Sequence, residues 1–326
     1  MTNALVLAIP SKGRLQEQVA DYLADAGMAI KQAAGARDYR AKLDGQPGIE
    51  VKLMSSGEIA FALEAGEVHL GITGEDLIRE SVPDAEEKIA LLQPLGLGFA
   101  DVVVAVPRAW IDVATMADLD DVCTAFHVRH HRRLRVATKY LALTRDFFAA
   151  HGIADYRIVE STGATEGAPA AGLAEAVVDI TTTGATLAAN NLRVLDDGVI
   201  LRSQAQLAAS LAAKWGKDSL SAAERLTARI AARELARGSY VLRAQLPKKA
   251  NKIVAALEKK TGSTILALSD GKKGGSTLLC PRDRLSDVVA FFRGEGLDAP
   301  VAVEPADYVY ARANPLMQRL TAALKH

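Results

Sequence analysis

Two cysteines, Cys123 and Cys280, are all that 326 residues contain, and they lie far apart in the sequence. That excludes a disulfide framework and a cysteine-based zinc centre, and it suits a reducing cytoplasm. An excess of one charge is missing too: Lys and Arg total 39, and Asp and Glu total 39. Without a net field the chain has no general attraction for nucleic acid or an anionic membrane, so any polyanion must be held by a few placed groups. Apolar runs fall well short of the ~20 residues that cross a bilayer. The start, MTNALVLAIPSKGR, has neither a basic leading segment nor a small-residue cleavage site, and reads as a first strand rather than an export signal. Histidine is scarce, at six residues. His130 and His131 are adjacent and would point apart on a strand, which argues against a metal site there. No Ser/His/Asp or Cys/His pairing stands out, so the chemistry should need no strong nucleophile from the protein.

What is present is a globular balance, 49% hydrophobic and 24% charged residues, in a length that suits two or three domains. Residues 4–9 read as a strand, and Leu15, Val19 and Leu23 then recur one helical turn apart. Residues 49–54, 58–63 and 68–72 continue as strand, helix and strand, which predicts an α/β lobe with largely parallel strands. A second unit opens near Ala100, with strands expected at 100–107, 134–140, 156–161 and 174–180. Residues 198–210 read as an extended return to the first unit. Ser221 and Glu224 have the spacing of a capping box ahead of an alanine-rich helix that stops at Gly238. Beyond it come a strand (240–244), a helix (248–260), strands (264–268 and 277–280), a helix (285–292) and a strand (301–303). That βαββαβ order is ferredoxin-like. The expected organisation is a first lobe over 1–100 with a return segment over 198–237, a second lobe over 101–197, and a third domain over 238–326.

Four turns carry candidate chemistry. In VVDITTTGATLAANN an apolar strand ends in Asp179 and a knot of small hydroxyl residues, Thr182, Thr183, Gly184, Ala185 and Thr186, before a helix. Small side chains let a phosphate approach the backbone, the first helical N–H groups face it, and threonine hydroxyls add donors. An acid just ahead of the loop suits a sugar hydroxyl or a metal-bridged contact; a turn of threonines that only caps a helix is the plainer reading. In PSKGRL, Lys12 and Arg14 flank Gly13 at a helix entrance, where cations oppose the dipole and a bound anion would account for them. Gly71, Thr73, Gly74 and Asp76 form a third turn, and Glu166 sits in the fourth, a Gly/Ala/Pro loop. Turns of this kind at the ends of parallel strands are where α/β sheets bind ligands.

Other stretches carry less. GKKGGST lacks the phosphate-loop spacing and reads as a hairpin loop, and Gly96-Leu-Gly98 lacks the third glycine of a dinucleotide fingerprint. The basic run at 128–135 has no interleaved aromatic and reads as a solvated loop, with Arg135, at the mouth of the next strand, kept as an anion-binding candidate.

The Asp179 loop superficially resembles the phosphoribosyl-diphosphate loop of type I phosphoribosyltransferases, except that Val178 replaces the first of two acids. The order of PSKGRL, LGITGEDL, RVATKYLALTRDFF and GATEGAPAAGLAEAVVDITTTGATLAANNL better resembles the ATP phosphoribosyltransferase family. The C-terminal TILAL and STLLCPRDRLSDVVAFFRGEGLDAPVAVEPADYVY are similar to the regulatory domain of its long form. The resemblance implies a two-lobed fold of the periplasmic-binding-protein kind (type II) plus a ferredoxin-like third domain. It implies transfer of the phosphoribosyl group of phosphoribosyl diphosphate to N1 of ATP with loss of pyrophosphate, the committing step of histidine biosynthesis. It further implies Mg²⁺, feedback inhibition by L-histidine, and a cytoplasmic homo-oligomer, a hexamer or a dimer.

Carried over residue by residue, the resemblance gives the 5′-phosphate to Thr182, Thr183, Gly184, Ala185 and Thr186. Asp179 meets the ribose hydroxyls, directly or through Mg²⁺, and Glu166 lies near the ribose. Lys12, Gly13 and Arg14, with Arg135 as a further cation, face phosphate or pyrophosphate; Gly71, Thr73, Gly74 and Asp76 line the nucleotide pocket; and Thr264 marks the histidine site. The chain departs from the family at residues 53–60, where Glu58 remains but the usual Arg and Pro do not, at His69, where Asp is frequent, and in a longer loop at 125–133. The rival expectation is a two-lobed metabolite sensor without catalysis, which the architecture alone would permit.

Overall fold

The strand Leu5–Pro10 is buried along nearly its whole length, as a strand covered on both faces must be. The computed structural model describes residues 4–32, 40–246, 251–267, 275–295 and 299–325. The chain divides into one compact unit, Met1–Ala222 with Arg319–His326, and another, Ala223–Gln318.

Among the described residues the first unit holds two sheets. One has seven strands in the order Ile30–Gln32, Arg40–Leu43, Ile49–Met54, Leu5–Pro10, Leu70–Gly74, Ala205–Ser210, Ile89–Pro94. The other has five, in the order Leu192–Ser203, Ala100–Pro107, Ala176–Thr181, Leu134–Thr138, Tyr156–Glu160. Leu5–Pro10 runs parallel to both of its neighbours, and Leu134–Thr138 runs parallel to both of its own. Each sheet therefore sends the C-terminal ends of three parallel strands to one edge. Antiparallel strands complete both sheets, because the chain passes between them twice.

The two crossings, after Pro94 and after Ser203, are stitched together. Gly96 N–H donates to Gln204 Oε1 at 2.9 Å, Ala205 N–H to the Leu97 carbonyl at 2.9 Å, and Leu95 N–H to the Ala205 carbonyl at 2.9 Å. Gly96 and Gly98 have φ of 67° and 64°, and a Cβ on Gly98 would stand 2.7 Å from Leu15 Cδ1. These glycines serve the crossing. Two α/β lobes joined by paired crossings make the type II periplasmic-binding-protein arrangement. Each lobe has its own core, around Ile59, Leu63 and Ile78 in one and around Val104, Val136 and Phe148 in the other.

In the second unit the strand Ser239–Ala244 lies between Ser276–Pro281 and Ala302–Glu304, with Thr264–Ala267 beyond Ser276–Pro281. All these pairs are antiparallel. The helices Asn251–Thr261 and Leu285–Gly294 complete a ferredoxin-like layer over Leu242, Leu257, Leu278 and Phe292. Most of the hairpin loop expected from GKKGGST, the first residues of the helix expected at 248–260, and Leu268 lie outside the described residues.

Three local expectations are corrected. The basic run is a loop only in its middle: the helix Met116–His130 takes up its head, with Arg129 and His130 in the last turn where the dipole favours cations, residues 131–133 form an exposed turn, and Arg135 lies on the strand Leu134–Thr138. Leu119, Cys123 and Phe126 at helical spacing pack that helix inward. The Ser221/Glu224 pair lies inside a helix and not at its start, because the helix Lys217–Arg237 begins one turn earlier, where Ser219 Oγ accepts the Gly216 N–H at 2.9 Å. The strand expected at 134–140 stops at Thr138, which leaves Lys139 and Tyr140 in a strand-to-helix turn.

Candidate active site

Asp179 lies on the strand Ala176–Thr181, with Val177 and Val178 fully buried behind it. The chain then turns through Gly184, at φ 74°, into the short helix Ala185–Ala189. That left-handed conformation is what glycine supplies without strain. The turn is shaped by its hydroxyls. Thr181 Oγ1 accepts the Gly184 N–H at 2.7 Å, Thr183 Oγ1 accepts the Ala185 N–H at 3.4 Å, and Thr182 Oγ1 donates to the Phe99 carbonyl at 3.1 Å. The result is a cavity of about 220 Å³ lined by Ala100, Ile180, Thr181, Thr182, Thr183, Ala185 and Thr186. Polar hydroxyls and the first helical N–H groups around such a space suit one phosphate group.

The acid beside the cavity is half-buried. Burial pushes the Asp179 carboxyl above its ordinary 3.8, the Ile180 N–H and the Lys139 charge pull it down, and Glu166 adds to the rise. Glu166 and Lys139 therefore both act on Asp179, and the three stand beyond the ends of three adjacent parallel strands. Glu166 sits in the short helical turn Thr165–Gly167, beyond the strand Tyr156–Glu160. Ser161 ties the start of that loop to the neighbouring strand through its N–H and the Thr138 carbonyl, at 2.9 Å.

The corresponding edge of the other sheet faces this one. Tyr140, just after the strand Leu134–Thr138, donates its hydroxyl to Asp76 Oδ2 at 2.9 Å, and Asp76 follows the strand Leu70–Gly74 by two residues. Both lobes thus present their C-terminal strand ends to a shared cleft, where α/β sheets carry ligands. The Lys12 turn belongs to the same edge, because Leu5–Pro10 and Leu70–Gly74 are parallel neighbours. Leu15 lies against Gly98, and Phe99 is bonded to Thr182, which links the helix Gly13–Asp25 to the phosphate cavity by contact.

Lys12 and Arg14 are exposed at the start of that helix, whose first turn has no side-chain cap and no acid. Gly13 begins it at φ 78°, a backbone that fits glycine. Glu58 reciprocates a capping box with Ser55, its Oε2 accepting the Ser55 N–H at 2.9 Å, and its carboxyl is lowered by Ser55 and more weakly by Lys12.

The third turn is committed internally. Gly71, Thr73, Gly74 and Asp76 are all buried. Thr73 gives its hydroxyl to the Ser56 carbonyl at 2.7 Å, and a Cβ on Gly74 would collide with Asp76 Oδ1. Arg135 is not brought to the loop. It stands near the beginning of its strand, level with Glu175, and bonds Glu175 and the Gly172 carbonyl. Thr264 belongs to the second unit, exposed at the start of an edge strand opposite Leu279. His69 is structural: Nδ1 accepts the Val6 N–H at 3.1 Å, so Nε2 carries the proton and donates to the Lys214 carbonyl at 3.2 Å.

Lys139 and Tyr140 are the residues sequence reading passes over. Running the strand to Tyr140 hides them. The signal was the strand-to-helix turn itself, since residues just past a parallel strand are the ones aimed at a ligand.

The ATP phosphoribosyltransferase family model matches residues 55–232. The ATP phosphoribosyltransferase of Rhodopseudomonas palustris (strain BisB18) is 52% identical over 325 residues, covering 100% of both chains. That of Afipia carboxidovorans is 51% identical over 324 residues, 99% of each. Among solved structures, the ATP phosphoribosyl transferase (HisG:HisZ) complex from Thermotoga maritima matches with a TM-score of 0.52 and 26% identity, over 69% of this chain and 97% of that one.

Proposed function

The chain belongs to the ATP phosphoribosyltransferase family, and from that premise we propose how its own residues carry the reaction. The enzyme moves the phosphoribosyl group of phosphoribosyl diphosphate to N1 of ATP, releases pyrophosphate, and so opens histidine biosynthesis. A non-catalytic sensor is not favoured, since transferases match the chain end to end.

Thr182, Thr183, Gly184, Ala185 and Thr186 hold the 5′-phosphate in the cavity beside Phe99. Asp179 and Glu166 face the ribose, where carboxylates offset the positive character that C1 gains as the diphosphate leaves. Lys139, Lys12 and Arg14 meet the anionic groups. ATP approaches from the edge that carries residues 71–76 and Lys12. N1 of adenine is already nucleophilic, so the protein's task is positioning and charge compensation rather than base catalysis. The observation that carries this reading is the Tyr140–Asp76 bond, which sets the phosphate loop and the opposite strand ends in one cleft.

Mg²⁺ fits the donor set in a limited way. Among the described residues no three His, Cys, Asp or Glu side chains converge to cage a metal. Asp179, half-buried with Glu166 close enough to raise its pKa, supplies what Mg²⁺ takes from a protein when substrate phosphates and waters complete its shell. Bound there, it would neutralise charge on the diphosphate. The division into a first lobe with its 198–237 return, a second lobe and a third domain assigns inhibition by L-histidine to the third, with Thr264 in its site. A cytoplasmic homo-oligomer, hexamer or dimer, completes the proposal. Among the described residues no helix is long and apolar enough to cross a membrane.

The test is an absorbance assay with ATP, phosphoribosyl diphosphate, Mg²⁺ and pyrophosphatase, with and without L-histidine. Product formation suppressed by histidine supports the whole reading. Turnover indifferent to histidine removes Thr264 from it, and no turnover at any metal or nucleotide concentration overturns it.

A further inference from the structure

Asp76 is 5% exposed, and a buried carboxylate is tolerated only where its oxygens are bonded. Its Oδ2 accepts the Tyr140 hydroxyl at 2.9 Å, and its Oδ1 accepts the Ser203 hydroxyl at 2.7 Å. Ser203 Oγ in turn accepts the Asp76 N–H at 3.0 Å, closing a ring. The three residues come from places that matter to the lobes. Asp76 follows a central strand of the first sheet, Tyr140 follows a parallel strand of the second, and Ser203 is the last residue before the chain recrosses. One helical turn beyond Asp76, Glu80 accepts the N–H groups of Ala142 and Leu143, each at 3.0 Å. It caps the helix Leu141–Ala150, which has no side-chain cap of its own. Residues four apart share a helix face, so the helix Glu75–Ser81 offers two acids to the opposite lobe together.

We propose that Asp76, Tyr140 and Ser203, with Glu80, form a polar anchor that fixes the phosphate-loop lobe against the nucleotide lobe, making Tyr140 and Asp76 positioning residues for the transfer. The functional part rests on residues 182–186 being the phosphoribosyl loop. Ala137 pairs with Val177 across adjacent parallel strands, so fixing Tyr140 also fixes the strand that ends in that loop. The reaction joins two separately bound reactants, and a displacement of about 1 Å can cost on the order of 100-fold in rate. Bonded to one another, Asp76, Tyr140 and Ser203 thus hold the distance between the two substrate sites. Burial and the Asp76 charge both push the Tyr140 phenol pKa up, so it stays a donor.

Tyr140→Phe tests this, since the buried ring stays and only the hydroxyl goes. Spin labels on Glu67→Cys and Ala149→Cys, exposed sites in opposite lobes, report the interlobe distance, and both native cysteines are buried. The full chain should show a broadened or shifted distance in Tyr140→Phe, with kcat down roughly 10- to 100-fold and both KM values little changed. Asp76→Asn keeps an acceptor for the tyrosine and should lose less. An unchanged distance overturns the anchor whether or not kcat falls, and a changed distance with kcat within about two-fold of wild type overturns the positioning role. If Tyr140→Phe fails to fold, Ser203→Ala is read by the same two measurements. Should the unlabelled wild type show no transfer, the function reading fails while the distance still tests the anchor.

Discussion

Arg135 grips Glu175 as a fork, with Nη2 at 2.8 Å from one carboxylate oxygen and Nε at 3.3 Å from the other. The pair sits near the beginnings of the strands Leu134–Thr138 and Ala176–Thr181, six residues short of where the latter ends, or about 20 Å at strand rise. A cation held there serves the fold and cannot reach a phosphate at residues 182–186.

Replacing Arg135 with Met should therefore leave KM for phosphoribosyl diphosphate within about two-fold while lowering stability by about 1–3 kcal/mol. Burial alone would raise the Glu175 carboxyl, but hydrogen bonds from Arg135 and Arg132 override it and hold the value at about 2, against an ordinary 4.5. The folded pKa is depressed, so this stabilisation is complete above 4.5 and is lost as pH falls towards 2. The melting-temperature gap between wild type and Arg135→Met should narrow over that range. A gap independent of pH, or a large rise in KM, would refute the assignment.

Gly184→Ala probes the phosphate turn. A Cβ there would meet nothing within 4 Å, so the whole cost comes from holding alanine at φ 74°. That strain is worth about 1–3 kcal/mol, and relieving it would move the neighbouring amides. The expected result is a rise in KM for phosphoribosyl diphosphate with KM for ATP unchanged. Equal rises for both substrates would mean that the turn does not belong to one of them.

The sequence shows some of this site plainly and hides the rest, for physical reasons. The loop at 182–186 is legible because its signals are local: a buried strand, an acid, small hydroxyl residues and a glycine. The order of strands and helices in the second unit is legible for the same reason. Asp76, Tyr140 and Ser203 are not, because they meet at separations of 64 and 127 residues and only the tertiary fold creates the contact. Arg135 misleads because its charge is visible in the sequence and its partner is not. The head of the basic run misleads because polar residues in the last turn of a helix look like loop, while residues 131–133 do form the exposed turn expected of them.

Lys139→Met should lower kcat/KM for phosphoribosyl diphosphate on the order of 100-fold, as loss of one preorganised charge contact does. Lys139 is exposed and acts on Asp179 through its charge, so the melting temperature should hold. Steady-state kinetics beside a thermal melt decide it. Full activity in the variant would leave Lys12 and Arg14 as the only proposed cations at the anionic groups.

His69 gives the fold an acid limit of its own. Its ring bridges Val6 and the Lys214 carbonyl and stands edge-on to Trp215, with centroids 5.0 Å apart. Protonating Nδ1 would turn the acceptor for the Val6 N–H into a second donor aimed at it. Burial accordingly depresses the His69 pKa below its ordinary 6.5, with the Lys214 carbonyl pulling weakly the other way. In the unfolded chain the ring protonates first, so its stabilisation is complete above 6.5 and drains as pH falls through the folded value. His69→Asn keeps an acceptor for Val6 but has no titration and a weaker contact with Trp215. The variant should melt lower than wild type at pH 7.5, by an amount worth about 0.5–1.5 kcal/mol. The two curves should then converge as pH drops below 6.5, because only wild type is losing this term. Parallel curves down to pH 5 would mean that His69 stays neutral, or stays charged, in both states, and the pairing with Val6 would lose its energetic meaning.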